Sequence, residues 1–315
     1  MKDMSNQLRN HLLNNDKLRQ RLNHLYHQVL ADEDVNNFLK QHPELTKDDI
    51  IQSMAQLFEY INQRNRVSKG DNSIAPGYMP CLEVHERHIN VTYVPTAQLL
   101  QQQRNTQMLQ RISTIDIPAD VKQATFDDYQ KGARSRIPAL SAVIQFSNDY
   151  IENSHIYHQG LYLHGPFGVG KTYLLGALAR VLAEKGYRSM LIHMPTFNAE
   201  MKDAINNHQV IKRINSIKKV PILMLDDVGA DDMSAWIRDE VLGVILQYRM
   251  EEHLSTFFTS NLTMDEFAEH LTFNNKGDNE PIKADRIMER VKFLAKDVPI
   301  DGPDRRNDFI KNNIN

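Results

Sequence analysis

The feature that most constrains the fold of this chain is the segment 165–172, which reads Gly-Pro-Phe-Gly-Val-Gly-Lys-Thr. It matches the pattern GxxxxGK(S/T), in which backbone N–H groups of a glycine-rich loop surround phosphate oxygens at a helix N-terminus. A short apolar run, 161–163, precedes the segment, and leucines at helical spacing follow it. Because strand, loop and helix occur in this order, the segment predicts a phosphate-binding loop rather than a glycine-rich turn without a ligand.

The residues of this loop have distinct expected roles. Lys171 places a positive charge on the β and γ phosphates, and the Thr172 hydroxyl is expected to ligate Mg²⁺. The remaining positions are expected to hold phosphate through the main chain: Gly165, Pro166, Phe167, Gly168, Val169 and Gly170. The loop therefore predicts ATP and Mg²⁺ as ligands.

Two carboxylates follow an apolar run that begins at Val220 and reads VPILMLDD. Such a run is typical of a buried strand in a parallel sheet. We expect Asp226 to hold Mg²⁺ through water, and Asp227 to orient or activate the water that attacks the γ phosphate. The alternative is an acidic pair that merely begins a loop, and the complete phosphate loop upstream disfavours it.

A third apolar run, 256–261, reads TFFTSN and ends in Asn261. If this strand lies beside the strand of the phosphate loop, Asn261 emerges near the γ phosphate and can position water. The alternative role of Asn261 is a helix cap before Met264. Thr263 and Glu266 already form a capping box in this sequence, which leaves Asn261 freer for the site.

Two parts of the chain differ in their patterns. From 18 to 61 apolar residues recur at helical spacing, and around 82–93 they alternate with polar residues as in a β-hairpin. Later, strands and helices alternate, which predicts an α/β fold with a mostly parallel five-stranded sheet. The five expected strands are 160–165, 188–194, 221–226, 255–260 and 296–300. We expect a small, mostly helical N-terminal domain with connector over 1–120 and the α/β domain over 121–315.

Local signals refine the N-terminal part. Thr46, followed by Lys47 and two aspartates, is expected to cap a helix. The glutamine-rich stretch 97–113 predicts a further helix, and a connector is expected near 116–121.

Composition limits the class of partner and compartment. Lys and Arg total 37 against 40 Asp and Glu, so a net charge of −3 provides no chain-wide field for a polyanion, and any nucleic-acid contact must be local. One local cluster, Lys212, Arg213, Lys218 and Lys219, suits either a single-stranded nucleic acid or an ordinary solvated helix face. The single cysteine and the lack of a signal or membrane-spanning segment indicate a cytoplasmic protein.

The motifs GPFGVGKT, ILMLDD and FFTSN together resemble those of AAA+ ATPases. The stretches GADDMSAWIRDEVLGVILQYRM and DVNNFLKQHPELTKDDI further resemble the DnaI family of bacterial replicative helicase loaders, over nearly the whole chain. The resemblance implies a sheet order of 5-1-4-3-2 and an ATPase domain that binds ATP and single-stranded DNA. It also implies an N-terminal domain that binds the hexameric replicative helicase, contacts with other primosome proteins, and self-association on the helicase.

The resemblance also implies roles for arginines. Arg290 corresponds to the arginine finger that reaches a neighbouring subunit's nucleotide, with Arg286 as the second candidate. Arg306 corresponds to the sensor arginine at the γ phosphate, and Arg305 replaces it if the alignment shifts by one. Members of this family commonly carry a zinc site built on several cysteines. This chain has only Cys81, followed by His85 and His88, so bound zinc is not expected.

Two other functions fit the same motifs. An IstB-like transposition helper ATPase shares the core motifs, but it has no need of the N-terminal helices to grip a helicase. A non-hydrolysing adaptor switched by ATP is suggested by Asp227, because many AAA+ proteins have the longer glutamate there. Binding of the replicative helicase discriminates the first, and single-turnover hydrolysis discriminates the second.

Overall fold

The computed structural model describes residues 16–70, 74–130, 136–273 and 279–305. The chain divides into two compact units, Met1–Arg104 and Asn105–Asn315. No helix in the described ranges has the length and apolar composition needed to cross a membrane.

The first unit is mostly helical and contains one hairpin. Its elements are α1 (Asp16–Ala31), α2 (Glu33–Gln41), α3 (Lys47–Gln52), α4 (Met54–Ser68), β1 (Tyr78–His85), β2 (His88–Pro95) and the helix α5 (Ala97–Leu109), which contains the boundary between the units. The helical and hairpin patterns of the sequence are therefore confirmed.

A small apolar core and polar caps hold the first unit together. Its most buried side chains are Val29, Val35, Leu57 and Ile89, contributed by three helices and the hairpin. The expected cap of α3 is present, because the Thr46 hydroxyl accepts from the Asp49 amide at 3.3 Å and the Asp49 carboxylate accepts from the Thr46 amide at 2.9 Å.

The hairpin contains Cys81, His85 and His88, the residues at which the family's zinc site was considered. β1 and β2 are antiparallel, with Cys81 opposite Thr92 and His85 opposite His88 at the turn. The two turn residues, Glu86 and Arg87, have φ of 49° and 66°. Within the described residues, no group of three or more His, Cys, Asp or Glu side chains is arranged to hold a metal ion.

The second unit alternates strands and helices. Its elements are β3 (Ile112–Ile115), α6 (Ala119–Lys122), α7 (Phe126–Gln130), α8 (Ile137–Glu152), β4 (Gly160–His164), α9 (Lys171–Glu184), β5 (Ser189–His193), α10 (Met194–Asn206), α11 (Val210–Lys218), β6 (Ile222–Asp226), a π-helix (Ile237–Leu242), α12 (Gly243–Glu251), β7 (Thr256–Ser260), α13 (Met264–Thr272), α14 (Pro281–Leu294) and β8 (Ala295–Pro299).

These strands form one parallel sheet in the order β3-β5-β6-β7-β4-β8. The five expected strands occur in the expected order, 5-1-4-3-2. The expected strand count was too low, because β3 adds a sixth strand at the edge beside β5. The helix expected over 97–113 ends earlier, at Leu109, and the last two residues of that range already belong to β3. The sequence hides this strand because Ile112–Ile115 is only four residues long and half polar.

Both faces of the sheet are covered. Alternate residues of β4 enter different apolar clusters, with Leu161 and Leu163 on the face of α8 and α9, and Tyr162 on the face of α10 to α14. This explains the continuous apolar runs of the central strands. The carboxyl ends of β4, β5, β6 and β7 meet at one edge of the sheet, so the loops that follow them share one region.

Candidate active site

The phosphate-loop segment connects β4 to α9. Gly170 has a φ of 98°, a left-handed conformation that glycine adopts without strain, and α9 begins at the next residue. At Gly165 a Cβ would lie 1.9 Å from the carbonyl oxygen of Ile300, so only glycine fits there. The loop therefore leads directly into the N-terminus of α9, the kind of position at which proteins bind phosphate.

Lys171 lies buried inside this loop. Its ammonium donates hydrogen bonds to the carbonyl oxygens of Gly165 and Pro166 at 2.7 and 2.8 Å, and to Oδ1 of Asn261 at 2.7 Å. Only 8% of the lysine is exposed. The structure thus brings the loop lysine into direct contact with the asparagine that follows β7.

Asp226 lies at the end of β6 and is 4% exposed. Its Oδ1 accepts hydrogen bonds from the hydroxyls of Thr172, at 2.8 Å, and Thr259, at 2.6 Å. Burial raises the pKa of the Asp226 carboxyl, and the two threonine hydrogen bonds oppose that rise. No Lys or Arg in the described ranges forms an ion pair with it. A buried carboxylate beside a threonine hydroxyl is a fitting donor set for Mg²⁺, which prefers oxygen ligands.

Asp227 adopts a φ of 61° directly after the strand. Its amide donates to the Thr259 hydroxyl at 2.9 Å, and its Oδ1 accepts from Nδ2 of Asn261 at 3.3 Å. One hydrogen-bonded chain therefore links Lys171, Asn261 and Asp227. The structure brings these three predicted residues together.

The capping alternative for Asn261 can be compared with the observed cap. Thr263 caps α13, since its hydroxyl accepts from the Glu266 amide at 3.2 Å and the Glu266 carboxylate accepts from the Thr263 amide at 2.8 Å. The expected capping box is confirmed. The Asn261 side chain instead contacts Lys171 and Asp227.

A cavity of about 1060 Å³ opens beside the loop. Besides the motif residues, it is lined by apolar and aromatic side chains that sequence reasoning missed: Ile117, Pro118, Val121, Tyr129 and Tyr173. The Tyr129 and Tyr173 rings stack at 6.3 Å, and burial raises the pKa of Tyr129 to about 12. These residues give the cavity an apolar half, suited to a flat base, next to the phosphate half.

Other cavity residues also escaped the sequence analysis. Thr259 bridges Asp226 and Asp227, and His193 lines the wall beyond Asp226. The available signal for Thr259 was a polar residue inside an otherwise apolar buried strand. His193 ends a strand at the same edge of the sheet as the acidic pair, a position visible only once the strand order is known.

The predicted arginines occupy different places. Arg305 lines the cavity, and its amide donates to the Gly168 carbonyl at 3.0 Å, while Arg306 lies outside the described residues. Arg290 does not line the cavity, since its Nη1 donates to the Gly243 carbonyl oxygen at 2.9 Å. Burial, with the nearby Arg286, lowers the pKa of Arg290.

Two of the four cations of the basic cluster on and after α11 contact other side chains of the chain. Arg213 pairs with Glu200 at 2.9 Å, and the Lys218 ammonium lies 4.7 Å from the centre of the Tyr248 ring. Lys212 and Lys219 are exposed. Two of the four cations are therefore turned to solvent.

Comparisons with known proteins agree over most of the chain. The family model "Primosomal protein DnaI N-terminus" matches residues 1–93, and the model "IstB-like ATP binding protein" matches residues 90–309. The replicative helicase loader DnaI of Bacillus subtilis (strain 168) is 38% identical over 297 residues, which cover 92% of this chain and 94% of that protein.

Solved structures extend the similarity to the fold. A crystal structure of DnaI is 40% identical, with a TM-score of 0.54, and the match covers 64% of this chain and all of that chain. A putative primosome component from Streptococcus pyogenes serotype M3 is 37% identical, with a TM-score of 0.52, over 64% of this chain and 98% of that one.

Proposed function

This chain belongs to the family of the replicative helicase loader DnaI and to the IstB-like ATP-binding proteins, and we propose that it loads the replicative DNA helicase onto single-stranded DNA. It acts during primosome assembly in the cytoplasm, and it uses ATP. The observation that carries the proposal is the similarity to that helicase loader over 92% of this chain. The hydrogen-bonded chain from Lys171 through Asn261 to Asp227, beside the phosphate loop, supports the use of ATP.

Binding of ATP would replace contacts already present in the loop. The Lys171 ammonium would exchange its bonds to the Gly165 and Pro166 carbonyls for β and γ phosphate oxygens. Thr172 and Asp226 would hold Mg²⁺, which neutralises charge on the phosphates when bound. The apolar half of the cavity would take the base.

Hydrolysis then requires one water and one acceptor for its proton. The water oxygen forms a bond to the γ phosphorus, and the bond from that phosphorus to the β–γ bridging oxygen breaks, leaving ADP. Asp227 takes the proton of the water and later returns it to solvent. Asn261 holds the Asp227 carboxylate in place, because its amide donates to Oδ1.

Substitution of Asp227 tests this assignment. Asp227→Asn keeps the volume and removes the basicity, so we expect Mg·ATP affinity near that of the parent and single-turnover hydrolysis slowed by about 10² or more. The exposed Asp232→Asn is the matched control and should hydrolyse ATP like the parent. An unchanged rate for Asp227→Asn would show that another group activates the water. A parent chain that binds Mg·ATP without hydrolysing it would favour the ATP-switched adaptor.

The docking role belongs to the N-terminal part of the chain. Its helices and hairpin lie in the unit Met1–Arg104, and the expected range 1–120 also includes the connector and β3, which pairs in the sheet of the second unit. This part contains no phosphate motif, and its first 93 residues match the DnaI N-terminal family model. An IstB-like helper would need no such domain, so this match favours the loader over the transposition helper. The exposed Lys212 and Lys219 are the proposed contacts for the backbone of single-stranded DNA, and their contribution should weaken as salt rises.

A further inference from the structure

His193 lies at the carboxyl end of β5 and lines the same cavity as the acidic pair. In the sheet register it is the direct neighbour of Asp226 on β6. Its side chain is 31% exposed, so it is open to a small molecule in the cavity.

A chain of hydrogen bonds fixes the orientation of this imidazole. The Thr196 hydroxyl donates to Oδ2 of Asp116 at 2.5 Å, and Nδ1 of His193 lies 2.9 Å from the same hydroxyl oxygen. A hydroxyl has one proton, and a carboxylate only accepts. Because the Thr196 hydroxyl donates its hydrogen bond to Asp116, it can only accept from His193, so Nδ1 is the donor. An imidazole that carries its one proton on Nδ1 has an acceptor at Nε2.

The edge strand that sequence reasoning missed supplies the anchor of this chain. Asp116 follows β3 with a φ of 50°, and β3 pairs with β5, the strand that carries His193. The short strand therefore holds Asp116 against the first turn of α10, where Thr196 lies. Asp116 and Thr196 are positioning residues for His193.

Asp226 offers a complementary acceptor. Its Oδ1 receives both threonine hydroxyls, and among the described residues Oδ2 has no hydrogen-bond donor. We propose that Nε2 of His193 accepts a hydrogen bond from a water of the Mg²⁺ shell that the Asp226 carboxylate also holds. This assignment rests on the proposed function and adds a specific metal-orienting residue to it. Outer groups of this kind change metal affinity by about 10-fold or more.

Two substitutions separate this role from a purely structural one. The amide nitrogen of His193→Asn replaces Nδ1 and keeps the bond to Thr196, but leaves no acceptor at the position of Nε2. The longer His193→Gln brings its amide oxygen to the position of Nε2 and gives up the bond to Thr196. If His193 only anchors Thr196, His193→Asn should weaken Mn²⁺ binding less than His193→Gln does. If His193 orients metal-bound water, His193→Gln should weaken Mn²⁺ binding less than His193→Asn does.

The test measures Mn²⁺ binding by electron paramagnetic resonance on the full chain with a non-hydrolysable ATP analogue. We expect His193→Asn to weaken Mn²⁺ about 10-fold. His193→Gln and the exposed control His253→Asn should stay within about 2-fold of the parent, and analogue affinity in EDTA should not change.

Parent-like Mn²⁺ binding by His193→Asn, or equal losses in both variants, would overturn the inference and leave the proposed function standing. A parent chain that binds no analogue with or without Mn²⁺ would overturn the proposed function itself.

Discussion

Asp226 is a proposed Mg²⁺ ligand, and its buried charge lowers the stability of the folded chain at neutral pH. Burial raises the pKa of its carboxyl in the folded chain, while the ordinary value is 3.8. A raised folded-state pKa contributes stability below the ordinary value, and this contribution is lost as the pH rises through the raised value. At neutral pH the ionised carboxylate therefore destabilises the nucleotide-free protein.

Asp226→Asn should reverse this penalty. The amide oxygen still accepts from Thr172 and Thr259, and no charge is buried, so we expect a higher Tm at pH 7 without nucleotide. The same variant should lose the extra stabilisation that Mg²⁺ gives to the nucleotide complex. Thermal unfolding with and without Mg·ATP measures both effects, and exposed Asp232→Asn should change neither. A variant less stable than the parent at pH 7 would contradict this account.

The residues that sequence reasoning found and those it missed differ in how they are encoded. Lys171, Thr172 and Asp226 belong to contiguous motifs in which local spacing reflects the chemistry. Tyr129 and His193 lie in unrelated stretches and reach the cavity only through tertiary packing and strand order. Their roles follow from neighbours that are distant in sequence, so no local pattern marks them.

At the scale of elements, a glycine of α9 allows α6 to pack closely against that helix. A Cβ at Gly176 would lie 2.3 Å from the carbonyl oxygen of Val121 and 2.6 Å from the Cγ1 atom of the same valine. Alanine usually stabilises a helix interior by about 0.5–1 kcal/mol relative to glycine. Here the overlap must displace α6, which lies beside the apolar half of the cavity.

Gly176→Ala should therefore destabilise the chain, by roughly 1–3 kcal/mol, which is the usual range for overpacking. We also expect weaker ATP binding, because Val121 lines the cavity. Denaturant unfolding and nucleotide titration measure the two effects. Glu184→Ala, an exposed change on the same helix, should alter stability by only about 0.5 kcal/mol. A stabilised Gly176→Ala protein with normal ATP affinity would show that α6 is free to move.

Strand β3 is the element that the sequence pattern failed to predict. The central strands β4 and β6 have apolar runs because both of their faces are buried, and the order of the five expected strands agrees with the family expectation. β3 has four residues, one neighbouring strand and partly exposed side chains, so its sequence resembles a connector. Its position became visible only from its pairing with β5.

At the scale of the whole molecule, Arg290 is the residue whose proposed role requires an assembly of several copies. Its guanidinium bonds to Gly243 within the chain and does not line the chain's own cavity. As the proposed finger it would act on the nucleotide of a neighbouring copy, where such an arginine contributes about 10³ or more in rate.

Arg290→Ala should keep near-normal ATP affinity and lose the extra hydrolysis that appears when copies assemble on helicase or DNA. Mixing it with Asp227→Asn should restore part of that activity, because each chain supplies the group that its neighbour lacks across a shared site. Exposed Lys292→Ala on the same helix is the control. Normal assembled activity of Arg290→Ala, or no restoration in verified mixed assemblies, would make this arginine a structural residue.

The most direct test of the central claim is helicase loading itself. The replicative helicase of the same organism is mixed with circular single-stranded DNA, this chain and ATP, and DNA-bound helicase is isolated and quantified. We expect loading to require the chain and ATP, and to fail with Lys171→Ala, which loses the counter-charge of the phosphates. Equal loading without the chain, or full loading by Lys171→Ala, would contradict the account of this protein as an ATP-dependent helicase loader.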